Sequence, residues 1–201
     1  MEYKIFLGYL AVAIAMLSYL LYFVGIARGK TKPHAFTWLV WGILNIVAFA
    51  AVLVAGGEAG AWVLGVNALA CLTVSSIGFY QRHVEYDMYD WFALLGALVG
   101  VYLWWLTSNP LYAVILVCLS DGIGSVPIFR KAYRAPFEEN ALAFFVGILY
   151  YPLAILAFES LTLTTWLYPV FVILLDGALV GLVLLRRRKF PSSPKSDLGA
   201  V

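Results

Sequence analysis

Apolar residues run in seven long stretches along the chain, and short polar segments separate them. A helix of roughly 17 to 25 residues crosses a bilayer. Each stretch is about that long, and they fall at residues 5–27, 35–55, 60–80, 91–107, 111–129, 140–158 and 165–185. The pattern therefore predicts an all-α membrane protein with seven transmembrane helices, spans one to seven, with the lipid bilayer around them.

Composition indicates the same class, because 64% of the 201 residues are hydrophobic and only 12% are charged. The formal net charge of +2 does not point to a nucleic-acid partner. The loops around residues 56–59, 108–110 and 159–164 contain no Lys or Arg. Such residues instead follow spans one, five and seven, as Arg28, Lys30, Lys32, Arg130, Lys131, Arg134 and residues 186–189. The positive-inside rule then predicts an external N-terminus and a cytoplasmic C-terminus.

The second half of the chain repeats features of the first. Leu17–Ser18 precedes an aromatic segment that ends in Gly29–Pro33, and Leu119–Ser120 precedes a basic segment that ends at Pro136. Because span four lies between them, the two halves would be parallel three-helix repeats, an arrangement that transporters use. We therefore expect a first repeat over 1–83, a linker helix over 84–110, a second repeat over 111–189 and a disordered cytoplasmic tail over 190–201. Two unrelated basic hairpins would give a similar pattern.

The segment Ser125-Val126-Pro127-Ile128-Phe129-Arg130-Lys131-Ala132-Tyr133-Arg134 resembles the motif that ends the first helix of a repeat in the PQ-loop superfamily, which includes the SWEET sugar facilitators. Ile128 stands where that motif has glutamine, and Gly29–Pro33 resembles the loop that follows the motif. The resemblance covers about residues 5–188. It implies a seven-helix transporter built as three helices, a linker helix and three helices. The similarly built nicotinamide-riboside transporters fit the Pro127 segment less well.

Asp121 and Asp176 are the only Asp, Glu, Lys, Arg or His side chains inside the seven spans. An acid at this depth costs about 2.5 to 3.5 kcal/mol on insertion scales, so it normally faces protein or a watery cavity. Their distances from the inner ends of spans five and seven predict nearly equal depths. Two facing acids at low dielectric share a proton readily, which would make a proton-responsive site. Alternatively, both acids are neutral and hold helices together.

Other polar and aromatic groups share that depth. Ser18, Asn45, Asn67 and Ser120 could contact a polar solute or bind helix to helix, and Trp41 could wall the inner end of a pathway. Pro127 interrupts span five and would act as a hinge at an inner gate. Pro33 and Pro136 end the corresponding segments of the two repeats, and we expect them to belong to the same gate.

Several kinds of chemistry are not expected. No Lys lies within a span to form a retinal Schiff base, and His34 and His83 have no metal-ligand spacing. We therefore expect neither a metal, a cofactor nor an enzyme. The sequence favours a transporter of a small polar solute, with a homo-oligomer left open. A non-transporting membrane receptor or assembly partner of the same fold is the alternative, and an intramembrane protease is third.

Overall fold

A computed structural model describes residues 2–81, 88–107 and 109–189. Regular secondary structure in these ranges is helical, apart from one 3-10 turn at Pro136–Glu138. The helices are α1 Glu2–Ala27, α2 Ala35–Val54, α3 Glu58–Gln81, α4 Met88–Thr107, α5 Pro110–Gly124, α6 Val126–Arg134, α7 Ala141–Ala157 and α8 Leu163–Lys189. The expected tail over 190–201, His83 and the start of the linker over 84–87 lie outside the described residues.

Five helical segments of the described chain are long and apolar enough to cross a membrane: α1, α2, α3, the segment Pro110–Arg134 and α8. α7 is apolar but has 17 residues, and α4 is not among the five. Apolar side chains on the outer faces, such as Leu20, Leu69 and Leu174, are more than half exposed, which suits contact with lipid. The prediction of an all-helical protein with several membrane-spanning helices is therefore confirmed at this level.

Predicted span five is one helical segment, Pro110–Arg134, that the single turn residue Ser125 divides into α5 and α6. The Ser125 N–H still donates to the Asp121 carbonyl oxygen at 2.8 Å, so the interruption is confined to this turn. Pro127 lies in the first turn of α6, where it lacks the N–H that would continue the helix and its ring crowds the carbonyl of Ile123. By contrast, Pro152 and Pro169 lie inside the uninterrupted helices α7 and α8. Of these three prolines, only Pro127 coincides with an interruption of its helix.

The helices pack in a closed order around one axis. α3 contacts both α1 and α2, α8 contacts both α5 and α7, and the contacts of α1 with α7 and of α2 with α5 complete the circuit. α4 packs on α5 and α2. Small residues allow close crossings: a Cβ added to Gly60 of α3 would lie 2.4 Å from the Ala154 carbonyl oxygen of α7.

Two apolar clusters fill the bundle, one above the other. The first contains Leu44, Leu64, Tyr151 and Phe158, and the second contains Ile128 together with aromatic side chains of α1, α2 and α7. Residues from both clusters line the cavity described below, so the cavity lies between two packed layers.

Candidate functional site

A cavity of about 50 Å³ lies inside the helix circuit, where it exceeds the roughly 10–15 Å³ that one water molecule requires. Side chains of α1, α2, α3, α5, α7 and α8 line it. Its polar lining residues are Ser18, Asn45, Cys71, Asp121 and Asp176, together with tyrosines. The two acids thus come from different helices and face the same space.

Asp121 is 2% exposed and belongs to a short hydrogen-bonded chain. Its Oδ1 accepts a hydrogen bond from the Ser125 hydroxyl at 3.2 Å, and that hydroxyl in turn accepts one from the Trp41 indole N–H at 3.3 Å. Ser125 is the residue at the break between α5 and α6. The chain therefore joins the cavity acid both to α2 and to the interruption of its own helix.

Asp176 of α8 is only partly buried and lines the cavity. It forms no hydrogen bond or ion pair with any residue that the structure describes. None of the cavity's lining residues is Lys, Arg or His. The cavity thus carries two carboxyl groups without a basic side chain in its wall.

Asn45 and Ser18 contribute unequally to the cavity. The Asn45 amide donates to the Trp41 carbonyl oxygen at 2.9 Å, and its Oδ1, although buried, has no partner among the described residues. A carbonyl oxygen can only accept, so this contact fixes which end of the amide is the nitrogen. The Ser18 hydroxyl donates to the Ala143 carbonyl oxygen of α7 at 2.8 Å. Asn45 therefore offers a free acceptor, while the hydroxyl proton of Ser18 is already used.

Aromatic side chains make up eight of the seventeen residues that line the cavity. On one side Trp38 packs against Tyr22 with ring centroids 4.7 Å apart, and its indole N–H donates to the Tyr22 hydroxyl at 3.2 Å. The rings of Tyr150 and Tyr151 on α7 are tilted against each other with centroids 4.3 Å apart, and Asn67 donates to both of their hydroxyls. The cavity is therefore an aromatic enclosure with acids in its wall.

The remaining candidates from the sequence lie elsewhere. Asn67 is behind the tyrosines and does not line the cavity. The Ser120 hydroxyl donates to the Gly96 carbonyl oxygen of α4 at 3.2 Å, so it joins α4 to α5. Pro127 is buried at the start of α6, and Pro33 and Pro136 are buried in the connections at the same end of the bundle.

A second polar cluster lies at that end, where the α1–α2 connection meets the segment after α6. Lys131 pairs with Glu139 at 2.5 Å and its ammonium also contacts the Lys32 carbonyl oxygen, while Lys32 pairs with Glu138 at 2.5 Å. Arg187 of α8 donates to the Glu139 carbonyl oxygen at 2.6 Å. We call these five residues the latch. It ties together segments from both halves of the chain.

Glu139 is the buried member of the latch, with 2% of its surface exposed. Burial raises the pKa of its carboxyl group, and the neighbouring Lys131 ammonium opposes that rise without cancelling it. One carboxyl oxygen, Oε2, has no partner among the described residues. Tyr22, on the cavity wall, lies next to this carboxyl group. The latch is therefore directly beneath the aromatic layer that closes the cavity.

The opposite end has fewer polar ties. Lys4 of α1 pairs with Glu159 at 3.2 Å and donates to the Phe158 carbonyl oxygen at 2.9 Å. The Ser160 amide donates to the Gly56 carbonyl oxygen at 3.2 Å, joining the loop after α7 to the loop after α2. All the residues that form these contacts lie in loops or at the ends of helices.

Sequence reasoning did not select the tyrosines of the cavity or the latch acid. Tyr150 and Tyr151 lie in the middle of a predicted span, whereas tyrosines of an interfacial belt lie at the ends of spans. This mid-span position could have identified them as residues of the interior. Glu139 follows another acid in a loop, so its burial had no signal in the sequence. The described residues contain no group of three or more His, Cys, Asp or Glu side chains that could hold a metal ion.

Comparison with known proteins adds no assignment. No family model matches the chain, and no match is found among curated proteins or among solved structures. Function must therefore be argued from the residues and their geometry.

Proposed function

We propose that this protein is a membrane transporter that moves a small polar solute through the central cavity. The observation that carries the proposal is the position of Asp121 and Asp176, which line one cavity from α5 and α8. Ionisable groups within membrane helices are costly and mark substrate or ion pathways by default. A purely structural bundle needs no such pair.

We propose further that the chain is built as two parallel three-helix repeats with α4 between them, as in PQ-loop transporters. In support of this, α3 packs between α1 and α2, and α8 packs in the same way between α5 and α7. α4 belongs to neither group and rests on α2 and α5. In this arrangement the cavity lies at the repeat interface, which is where such transporters bind solute.

The proposed orientation has the latch in the cytoplasm and the N-terminus outside. Three basic clusters, after α1, at α6 and at the end of α8, belong to the latch end. The loops at the other end that the structure describes in full carry no Lys or Arg. The positive-inside rule favours the basic end on the cytoplasmic side.

Proton linkage is the third element of the proposal. The titratable groups that face the two acids are Cys71 of α3, Cys118 of α5 and tyrosines of α1, α7 and α8, and no basic side chain lines the cavity. Because the wall has no basic side chain, Asp121 and Asp176 can exchange a proton with solvent when the cavity opens to either side of the membrane. Solute movement would then respond to a pH gradient.

Flux into proteoliposomes tests the proposal. Sugars, amino acids, vitamins and amines are screened with and without a pH gradient, using wild type, Asp121→Asn and Asp176→Asn. We expect at least one solute to enter faster than in empty vesicles, and we expect both variants to be folded but insensitive to pH over about 5 to 8. The surface variant Glu58→Gln is the control and should behave as wild type.

One outcome would overturn the transport proposal, and another would overturn only its proton linkage. Absence of flux for every solute, with binding of one of them retained, would instead indicate the receptor or assembly role. Identical pH curves for wild type and both acid variants would remove the proton site while leaving solute transport in place.

A further inference from the structure

We propose that the solute class of this cavity is an organic cation, a small molecule with an ammonium head. The inference rests on the proposed function for the site, and it is argued from three independent properties of the wall. These are its unused hydrogen-bonding groups, its charge and its aromatic surface.

Two polar groups of the cavity are acceptors without a partner. Asn45 Oδ1 is buried without a partner, and the Asp176 carboxyl has none among the described residues. The neighbouring donors are already engaged: the Ser18 hydroxyl with Ala143, and the indole N–H groups of Trp38 and Trp41 with Tyr22 and Ser125. A ligand that satisfies these two acceptors must bring donors, as an ammonium group does.

The charge of the cavity wall also favours a cationic ligand. Asp121 and Asp176 line the cavity, and its wall contains no Lys, Arg or His. A buried charge is normally paired, because an unpaired one is costly in a medium of low dielectric. An anionic solute would add a third negative group to this space. A cationic solute would supply the counter-charge that the protein does not.

The aromatic enclosure suits the same ligand. A cation is attracted to the face of Trp, Tyr or Phe within about 6 Å of the ring centre, with Trp the strongest. Trp38, Trp41 and Phe144 pack against one another at the cavity, with centroid distances of 5.0 to 6.2 Å, and Tyr150 and Tyr151 line another part of its wall. Aromatic rings combined with a carboxylate form the recognised cage for ammonium groups.

A neutral sugar fits these observations less well. Its hydroxyl groups require donors as well as acceptors from the protein. The Ser18 and indole donors are committed to protein partners, which leaves the hydroxyl protons of tyrosines such as Tyr150 and Tyr151. It would also leave both acids without a counter-charge. Proton uptake by the acids would be needed before such a solute could bind.

Calorimetric binding to the purified full-length protein separates the two classes. The probes are choline, butylammonium, the neutral isostere of choline in which carbon replaces nitrogen, butanol and glucose. We expect each cation to bind about tenfold or more tightly than its neutral counterpart. Asp176→Asn, which keeps the shape but removes the charge, should remove most of that preference. Glu58→Gln, an acid on the surface, is the matched control and should retain it.

A second measurement guards against misfolding, because gel filtration checks that every variant is monodisperse. Equal affinity for choline and its neutral isostere would overturn the proposal. So would stronger binding of glucose, or no binding of either cation at millimolar concentration.

The binding assay keeps this inference separate from the transport proposal. If the cations bind with the expected selectivity and no solute crosses vesicles, the transport proposal fails and the cation site stands. If a neutral solute is transported and the cations do not bind, transport stands and the cation site fails.

Discussion

The Ser125 hydroxyl lies 3.2 Å from Oδ1 of Asp121, one helical turn along the chain, at the point where α5 ends and α6 begins. The same hydroxyl accepts from the Trp41 indole N–H. Ser125→Ala therefore removes one hydrogen bond to a carboxyl group and leaves a buried N–H without a partner. We expect the free energy of unfolding in detergent to fall by about 1–3 kcal/mol.

The control for that change is Ser76→Ala. The Ser76 hydroxyl is exposed and donates to the Leu72 carbonyl oxygen of its own helix at 2.8 Å. Its removal should change the unfolding free energy by no more than about 0.5 kcal/mol. Equal stability of the two variants would contradict the structural role given to Ser125.

Gly60→Ala tests the close crossing of α3 and α7. The added methyl group would lie 2.4 Å from the Ala154 carbonyl oxygen and 2.4 Å from the Phe158 ring, so one of the helices has to move. We expect a loss of about 1–3 kcal/mol in unfolding free energy. A methyl group at Gly181 of α8 meets no atom within 4 Å. Gly181→Ala should therefore be neutral, or stabilising by up to about 1 kcal/mol.

Glu139 predicts a pH dependence of stability. Its pKa in the folded protein is above the ordinary glutamate value of about 4.3, so the folded state holds the proton more tightly than the unfolded state. The resulting contribution to the unfolding free energy is complete below the ordinary pKa. It is lost as pH rises through the folded pKa. Glu139→Gln should flatten this decline in a series of unfolding curves recorded from acid to neutral pH.

Glu159→Gln is the matched control for the pH series. Glu159 is a partly exposed carboxyl at the opposite end of the bundle, paired with Lys4. It should retain the wild-type dependence. A Glu139→Gln protein whose stability declines as steeply as that of wild type would show that this carboxyl does not determine the slope.

Pro127→Ala tests the interruption between α5 and α6. Alanine restores the backbone N–H and removes the ring that crowds the Ile123 carbonyl, so the two helices should become continuous. If the interruption acts as a hinge, solute flux in vesicles should slow several-fold. Pro169→Ala changes a proline inside the continuous helix α8 and should leave the flux near that of wild type. Equal rates for both variants would exclude the hinge.

Single-cysteine labelling tests the orientation. Cysteines at Glu58 and Ser160 lie at the Lys4 end, and one at Lys30 lies at the latch end. In intact cells, an impermeant thiol reagent should label the first two and not the third. The two native cysteines are buried and provide a low background. The reverse pattern would place the latch outside the cell.

Helix positions could be predicted from the sequence because each stretch of apolar residues is bounded by polar loop residues. The acids could also be selected, since a carboxyl group in an apolar stretch has no other explanation than an interior contact. The interruption at Ser125 was harder to predict from the sequence. Pro127, Pro152 and Pro169 all lie within predicted spans. The local sequence does not reveal which of these helices stays continuous, because that depends on packing against neighbouring helices.

The aromatic enclosure and the latch depend on contacts between distant segments. Trp38 and Phe144 are separated by more than a hundred residues, and their packing follows from how α2 and α7 meet rather than from either sequence. Glu139 is buried because Lys131 and Arg187 cover it from two other helices. No local pattern distinguishes it from Glu138 beside it.

Within the latch the Lys131–Glu139 pair is buried and the Lys32–Glu138 pair is partly exposed, whereas the Lys4–Glu159 pair at the other end is partly exposed. If the protein is the proposed transporter and the latch blocks access from its side, a solute that approaches from that side would bind only molecules whose latch is open. Its apparent dissociation constant is therefore divided by the fraction of such molecules, and the cavity would show a weaker affinity to one compartment than to the other. Without a coupled gradient, net flux must be zero when the solute concentrations on the two sides are equal. The maximal velocities in the two directions must therefore differ by the same factor as the two apparent affinities. The direction of weaker affinity must then be the direction of higher maximal velocity.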